Sequence, residues 1–187
     1  MTNLNNALVF IIVTLFDFYI ATVLLRVILQ YVRAPFNNEI GQFVIKITNP
    51  GVIVLRKIIP SLRSLDLASL VFAYILAVLK IVLVNLLITR TYLPVNIFAI
   101  SYFVLAFLAL IEITLTIYFW AIIIRVIFSL LAQNPNMGYN AFYTMVYLIT
   151  EPVLSLIRRF ISPIGGFDLS PLIACLLIAV LRIIFNI

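Results

Sequence analysis

The sequence predicts an all-α membrane protein with four transmembrane helices, arranged as two parallel repeats of two, each repeat with an amphipathic interfacial helical connection. Three observations predict it. The 187 residues are 66% hydrophobic and 10% charged, where soluble domains carry roughly 45–50% apolar and about 25% charged residues. Four apolar windows are long enough to cross about 30 Å of hydrocarbon, which takes roughly 20 helical residues. The chain also aligns on itself.

The first window covers about 8–31. Residues 1–7 lack Lys and Arg, and no small-residue cleavage pattern follows, so this segment is expected to be a retained span rather than a signal peptide. The connection after it carries Arg33, Lys46, Arg56, Lys57 and Arg63. Within it Ile40, Phe43, Val44 and Ile47 recur at helical spacing, with Glu39, Gln42 and Lys46 on the other face, the pattern of an amphipathic helix. Asn49-Pro50 is expected to break that helix and start a second, with Asn49 as N-cap, Pro50 in the first turn and Arg56 and Lys57 at the C-terminal end. The interfacial helices then cover about 38–60 and the second span about 68–89.

The third window, about 98–131, is too long for a perpendicular crossing and must tilt or project. The connection from Ala132 to Asp168 repeats the first layout, with Glu151-Pro152 and the basic pair Arg158-Arg159 in interfacial helices at about 139–162. The fourth span covers about 169–187, with Pro171 in its first turn. Asp66 and Asp168, just before the second and fourth spans, suit helix capping, because a carboxylate accepts free N–H groups there. Arg90 is the lone cation of the opposite side. Since Lys and Arg in short loops stay cytoplasmic, both long connections are expected there and both termini on the outer side of a cell inner membrane. The formal charge of +6 is thereby assigned to loops, and no nucleic-acid partner is needed.

Sliding the chain by 99 residues pairs Tyr19 with Tyr118, Arg26 with Arg125 and Asn37 with Asn136. Sliding it by 102 pairs Thr48 and Pro50 with Thr150 and Pro152, Arg56-Lys57 with Arg158-Arg159, Asp66 with Asp168, and Lys80 with Arg182. Two spans per copy insert the same way, so the expected repeats, 1–91 and 92–187, are parallel. These motifs, with Leu55-Arg56-Lys57 before Ile59-Pro60 and Asp66-Leu67-Ala68-Ser69 against Asp168-Leu169-Ser170-Pro171, resemble the YggT family of small bacterial membrane proteins, which has plastid relatives. Ser162-Pro163 replaces Ile59-Pro60 in the second copy. The resemblance implies links to osmotic-stress tolerance and envelope organisation, and in plastid relatives to cytochrome assembly and nucleoid distribution. It brings no established catalytic residues.

Asp17, Lys80, Glu112 and Arg182 fall inside expected spans, where an ionisable group costs on the order of 3 kcal/mol or more without a partner. The expected pairs are Asp17 with Lys80 and, approximately, Glu112 with Arg182, although the residue matching Asp17 is Thr116. They either lock the helices together or line an ion path. Arg26 and Arg125 are expected to snorkel to the cytoplasmic interface. Tyr19, Tyr74, Tyr102, Tyr118 and Trp120 read as packing or interface-belt residues. Histidine is absent and Cys175 is the single cysteine, so neither a metal site, nor a cofactor, nor an enzyme is expected. The leading expectation is a non-enzymatic scaffold or assembly factor; the alternative is a small channel or transporter subunit. Its partners are the lipid bilayer, anionic lipid included, and other membrane proteins or a second copy.

Overall fold

The computed structural model describes residues 2–60, 65–89, 100–131, 141–161 and 168–186. Arg63, Arg90, Asn136 and Ser162-Pro163 lie outside the described residues. Six helices and no strand are found among those described: α1 Thr2–Tyr31, α2 Glu39–Arg56, α3 Leu67–Thr89, α4 Ile100–Leu131, α5 Ala141–Phe160 and α6 Ser170–Phe185. Three of them contain apolar segments long enough to cross a membrane, Leu4–Tyr31, Leu67–Ile88 and Ser101–Leu130. At 16 residues, α6 rises about 24 Å, less than the thickness of a typical hydrocarbon core.

The end of α1 is set by a tight turn. Arg33 takes a left-handed φ of 55°, Ala34 N–H donates to Leu29 O at 2.9 Å and Arg33 N–H to Gln30 O at 3.1 Å. That pair of bonds satisfies carbonyls that a helix end leaves free. The chain then reverses into α2, whose N-cap Asn38 accepts the Gly41 N–H at 2.7 Å. Gly41 is required here: a Cβ would come within 2.8 Å of the Phe36 Cα.

Contrary to the sequence expectation, neither Pro50 nor Pro152 breaks its helix; both lie inside, in α2 and α5. Proline removes one i→i−4 bond and costs about 3 kcal/mol in an isolated helix interior. The buried stripe of each helix continues across it, through Gly41, Val44, Thr48 and Val52 in α2 and through Val146, Thr150, Leu154 and Ile157 in α5. Packing along the whole stripe offsets the lost bond. That stripe also differs from the apolar face expected for α2: Val44 is buried, but Phe43 is exposed.

The spans close around α4. One core joins α1, α3 and α4 through Ile20, Val23, Ala73, Ala77, Ala106 and Leu110. Ala73, Ala77 and Ala106 are fully buried, which lets the backbones approach closely, the main source of helix association where lipid removes the hydrophobic drive. A second core sets α5 between α1 and α4 through Leu29, Ala121, Met145 and Ile149. A third joins α4, α5 and α6 through Ile122, Leu154, Ala174 and Ile178.

Candidate functional site

The most connected polar groups sit where each connecting helix crosses a span. Arg26 is 4% exposed and donates to Thr48 Oγ1 at 2.7 Å and Asn49 Oδ1 at 3.0 Å. Its Nε lies 3.6 Å from the fully buried Asp66 carboxylate, which also pairs with Arg56. Asp66 caps α3 as well, accepting Ser69 Oγ–H at 2.6 Å and Ser69 N–H at 3.3 Å. Burial pushes the Asp66 carboxyl up, but the hydrogen bonds from Arg56 and Ser69 and the Arg56 charge outweigh it and hold the group below its ordinary value.

Arg125 repeats the arrangement with different anions. It donates to Thr150 Oγ1 at 2.9 Å and to Glu151 at 2.7 Å, and its guanidinium lies 4.3 Å over the Tyr147 ring. Arg158 bridges Glu151 and Asp168, each at 3.1 Å. Asp168 accepts the Ser170 N–H at 2.9 Å; the position matching Ser69 is Pro171, which has no N–H to give. Burial raises the Glu151 and Asp168 carboxyls, and the bonds from Arg125, Arg158 and Ser170 bring both below their ordinary values. The snorkelling expected of Arg26 and Arg125 is therefore corrected. Both fold inward, because α2 and α5 offer oxygens at the depth of the guanidinium groups.

Deeper in the bundle, Lys80 Nζ lies 2.6 Å from Asp17 Oδ1. Asp17 is midway along its span, 13 residues from Leu4 and 14 from Tyr31. The Glu112–Arg182 pair does not form. Arg182 instead donates to Thr116 Oγ1 at 2.6 Å and lies 5.9 Å from the Phe119 ring centre. Thr116 stands 99 residues after Asp17, the offset that also separates Arg26 from Arg125, so the offset picks the partner and charge matching does not. Glu112 is exposed on α4 and has no ion-pair or side-chain hydrogen-bond partner among the described residues.

Asp17 and Glu112 meet at a cavity of about 470 Å³ between α1, α4 and α5, which Thr116, Trp120 and a mostly apolar wall complete. Sequence reasoning missed this cavity and the roles of Thr48, Thr116, Thr150 and Glu151. The thread that leads to the threonines is their recurrence at the repeat offset beside Arg26 and Arg125. Asn85 also pairs with Tyr102, and Tyr74 donates to Phe103 O at 3.2 Å, so these tyrosines bind α4 to α3 rather than only lining an interface.

Long apolar helices bound together by buried polar nodes define a helical membrane protein. The family model described as CCB3/YggT matches residues 5–87 and again 104–187. The chain belongs to the CCB3/YggT family. It is 40% identical to a Vibrio alginolyticus protein described as an uncharacterised protein in the proC 3′ region, over 90% of this chain and 87% of that one. It is 36% identical to an uncharacterised Pseudomonas aeruginosa protein, over 94% and 86%, and 31% identical to the uncharacterised protein YggT of Escherichia coli K12, over 95% and 88%. No solved structure matches significantly.

Proposed function

We propose that the protein is a non-enzymatic membrane scaffold, built as two parallel repeats, 1–91 and 92–187, with α6 as the fourth span. It holds α2 and α5 as amphipathic helices at the cytoplasmic face of the inner membrane, where they organise anionic lipid and neighbouring membrane proteins. The observation that carries this reading is the bond from each span arginine to the connecting helix, Arg26 to Thr48 and Arg125 to Thr150. So pinned, the helices keep apolar side chains uncovered, Phe43, Ile53 and Val54 on α2 and Leu156 and Phe160 on α5, beside the basic ends Lys57 and Arg159. Such a surface suits the headgroup boundary, where each Lys or Arg contributes roughly 1 kcal/mol against anionic lipid. The second match of the family model supports the repeat. Envelope organisation under osmotic stress is the setting that the family resemblance implies.

The rival, an ion channel or transporter subunit, has less support because three of its four charges are occupied: Lys80 holds Asp17, and Arg182 is on Thr116. Two measurements separate them. Native mass spectrometry from phosphatidylethanolamine–phosphatidylglycerol nanodiscs should find phosphatidylglycerol retained, and several-fold less retained by Lys57→Gln/Arg159→Gln. Proteoliposomes should show no ion flux above empty vesicles; flux that disappears in Asp17→Asn and Glu112→Gln would establish the ion path instead.

A further inference from the structure

We infer that the cavity between α1, α4 and α5 is a binding site for a hydrophobic organic cation, an ammonium or guanidinium group on an aromatic or alkyl body, with Glu112 as its counter-ion. The inference is independent of the scaffold reading. The cavity, about 470 Å³, falls within the roughly 300–1,000 Å³ that small-molecule sites occupy. It follows α1 from Asp17 to Leu29 and α4 from Glu112 to Ile124. Twelve residue-to-residue rises of helix on each side make it about 18 Å long.

Charge then selects the occupant. Asp17 is neutralised by Lys80 at 2.6 Å, and Arg182 is turned to Thr116. Glu112 thus lines the cavity with a formal negative charge that is in no ion pair among the described residues. An unpaired carboxylate within a span costs on the order of 3 kcal/mol or more, and a cation in the cavity removes that cost. Trp120 lies two helical turns further along the same wall, and an indole face is the best aromatic partner for a quaternary or alkyl ammonium. An acyl chain or neutral hydrocarbon would fill the apolar wall but leave Glu112 uncompensated. An anionic headgroup would be repelled. A bare metal cation would gain nothing from walls made of leucine, isoleucine and valine and would lack the oxygen ligands it needs.

Trp120 is the chain's single tryptophan, so its fluorescence reports the cavity directly. In nanodiscs, the full chain is titrated with 4-bromobenzyltrimethylammonium, whose bromine quenches indole emission on contact, and separately with the uncharged isostere 1-bromo-4-neopentylbenzene. The expected result is saturable quenching by the cation only, weakened at least about tenfold by Glu112→Gln, since truncating one member of a desolvated charge pair costs that much or more. Ala21→Leu, which narrows the cavity without replacing either carboxylate, should weaken it too. Equal quenching of the native chain and Glu112→Gln, or equal quenching by cation and isostere, overturns the proposal. Should Glu112→Gln not fold, the comparison of cation with isostere on the native chain decides by itself.

Discussion

The arginine nodes of the two halves share one guanidinium–threonine bond and differ in where the negative charge lies. Among the described residues Arg26 and Arg56 pair with one carboxylate, Asp66, fully buried and shared by both. Around Arg125 and Arg158 there are two, Glu151 and Asp168, 28% and 40% exposed. The change responsible is Asn49 against Glu151, the same register position in each connecting helix. Among the described residues the first node therefore sets two guanidinium groups on one fully buried carboxylate, and the second sets two on two part-exposed carboxylates. Removing a partner from a sealed pair costs far more than from an exposed one, because water cannot take the partner's place.

The largest expected effect follows. Asp66→Ala should destabilise the folded protein by about 3–5 kcal/mol, because it leaves the buried Arg26 with no carboxylate, and Asp168→Ala by about 1–2 kcal/mol, because Arg158 keeps Glu151. Unfolding in mixed micelles, followed by helical ellipticity, measures both; equal losses would break the comparison.

Acid sharpens it next. Asp66 has its carboxyl held low in the folded state, so it stabilises fully above the ordinary aspartate value, and that stabilisation is lost as pH falls below about 4 and through the lowered folded value. Asp66→Asn should flatten the acid limb of stability against pH more than Asp168→Asn does. An equal flattening would mean that burial of the carboxylate does not matter.

A third difference lies in packing. A Cβ on Gly51 would fall 2.1 Å from the Phe72 ring, whereas the matching positions in the second half are Val153 and Ala174, both in the third core. Large and small are exchanged across the same contact. Gly51→Val should cost about 1–3 kcal/mol by overpacking, and adding Phe72→Ala should recover part of it. A double variant no better than the sum of the singles would show that the two contacts are not equivalent.

Much of this architecture is visible in the residues. The apolar windows marked α1, α3, α4 and α6 because nothing but a helix buries its backbone within so apolar a run. The proline rule failed at Pro50 and Pro152, since it weighs one lost backbone bond and is blind to a stripe such as Val44-Thr48-Val52 that packs on both sides of it. Arg26 reads as a snorkelling residue because its threonine and aspartate partners arrive from α2 and from the cap of α3, at separations of 22 and 40 residues. Matching Glu112 to Arg182 weighs sign alone, while the offset of 99 from Asp17 points to Thr116, the residue that Arg182 meets. The cavity had no sequence signal, because its two walls meet only after α1 and α4 pack.

The scaffold reading depends on where α2 and α5 lie. Spin labels at Val54→Cys and Leu156→Cys, in a Cys175→Ser background and in phosphatidylglycerol-containing bilayers, give each position's depth from its collision rates with oxygen and with a water-soluble nickel complex. Both labels should lie at one depth, about 5–10 Å inside the headgroup–acyl boundary. Labels in bulk water, or either one at the bilayer midplane, would contradict an interfacial helix pair.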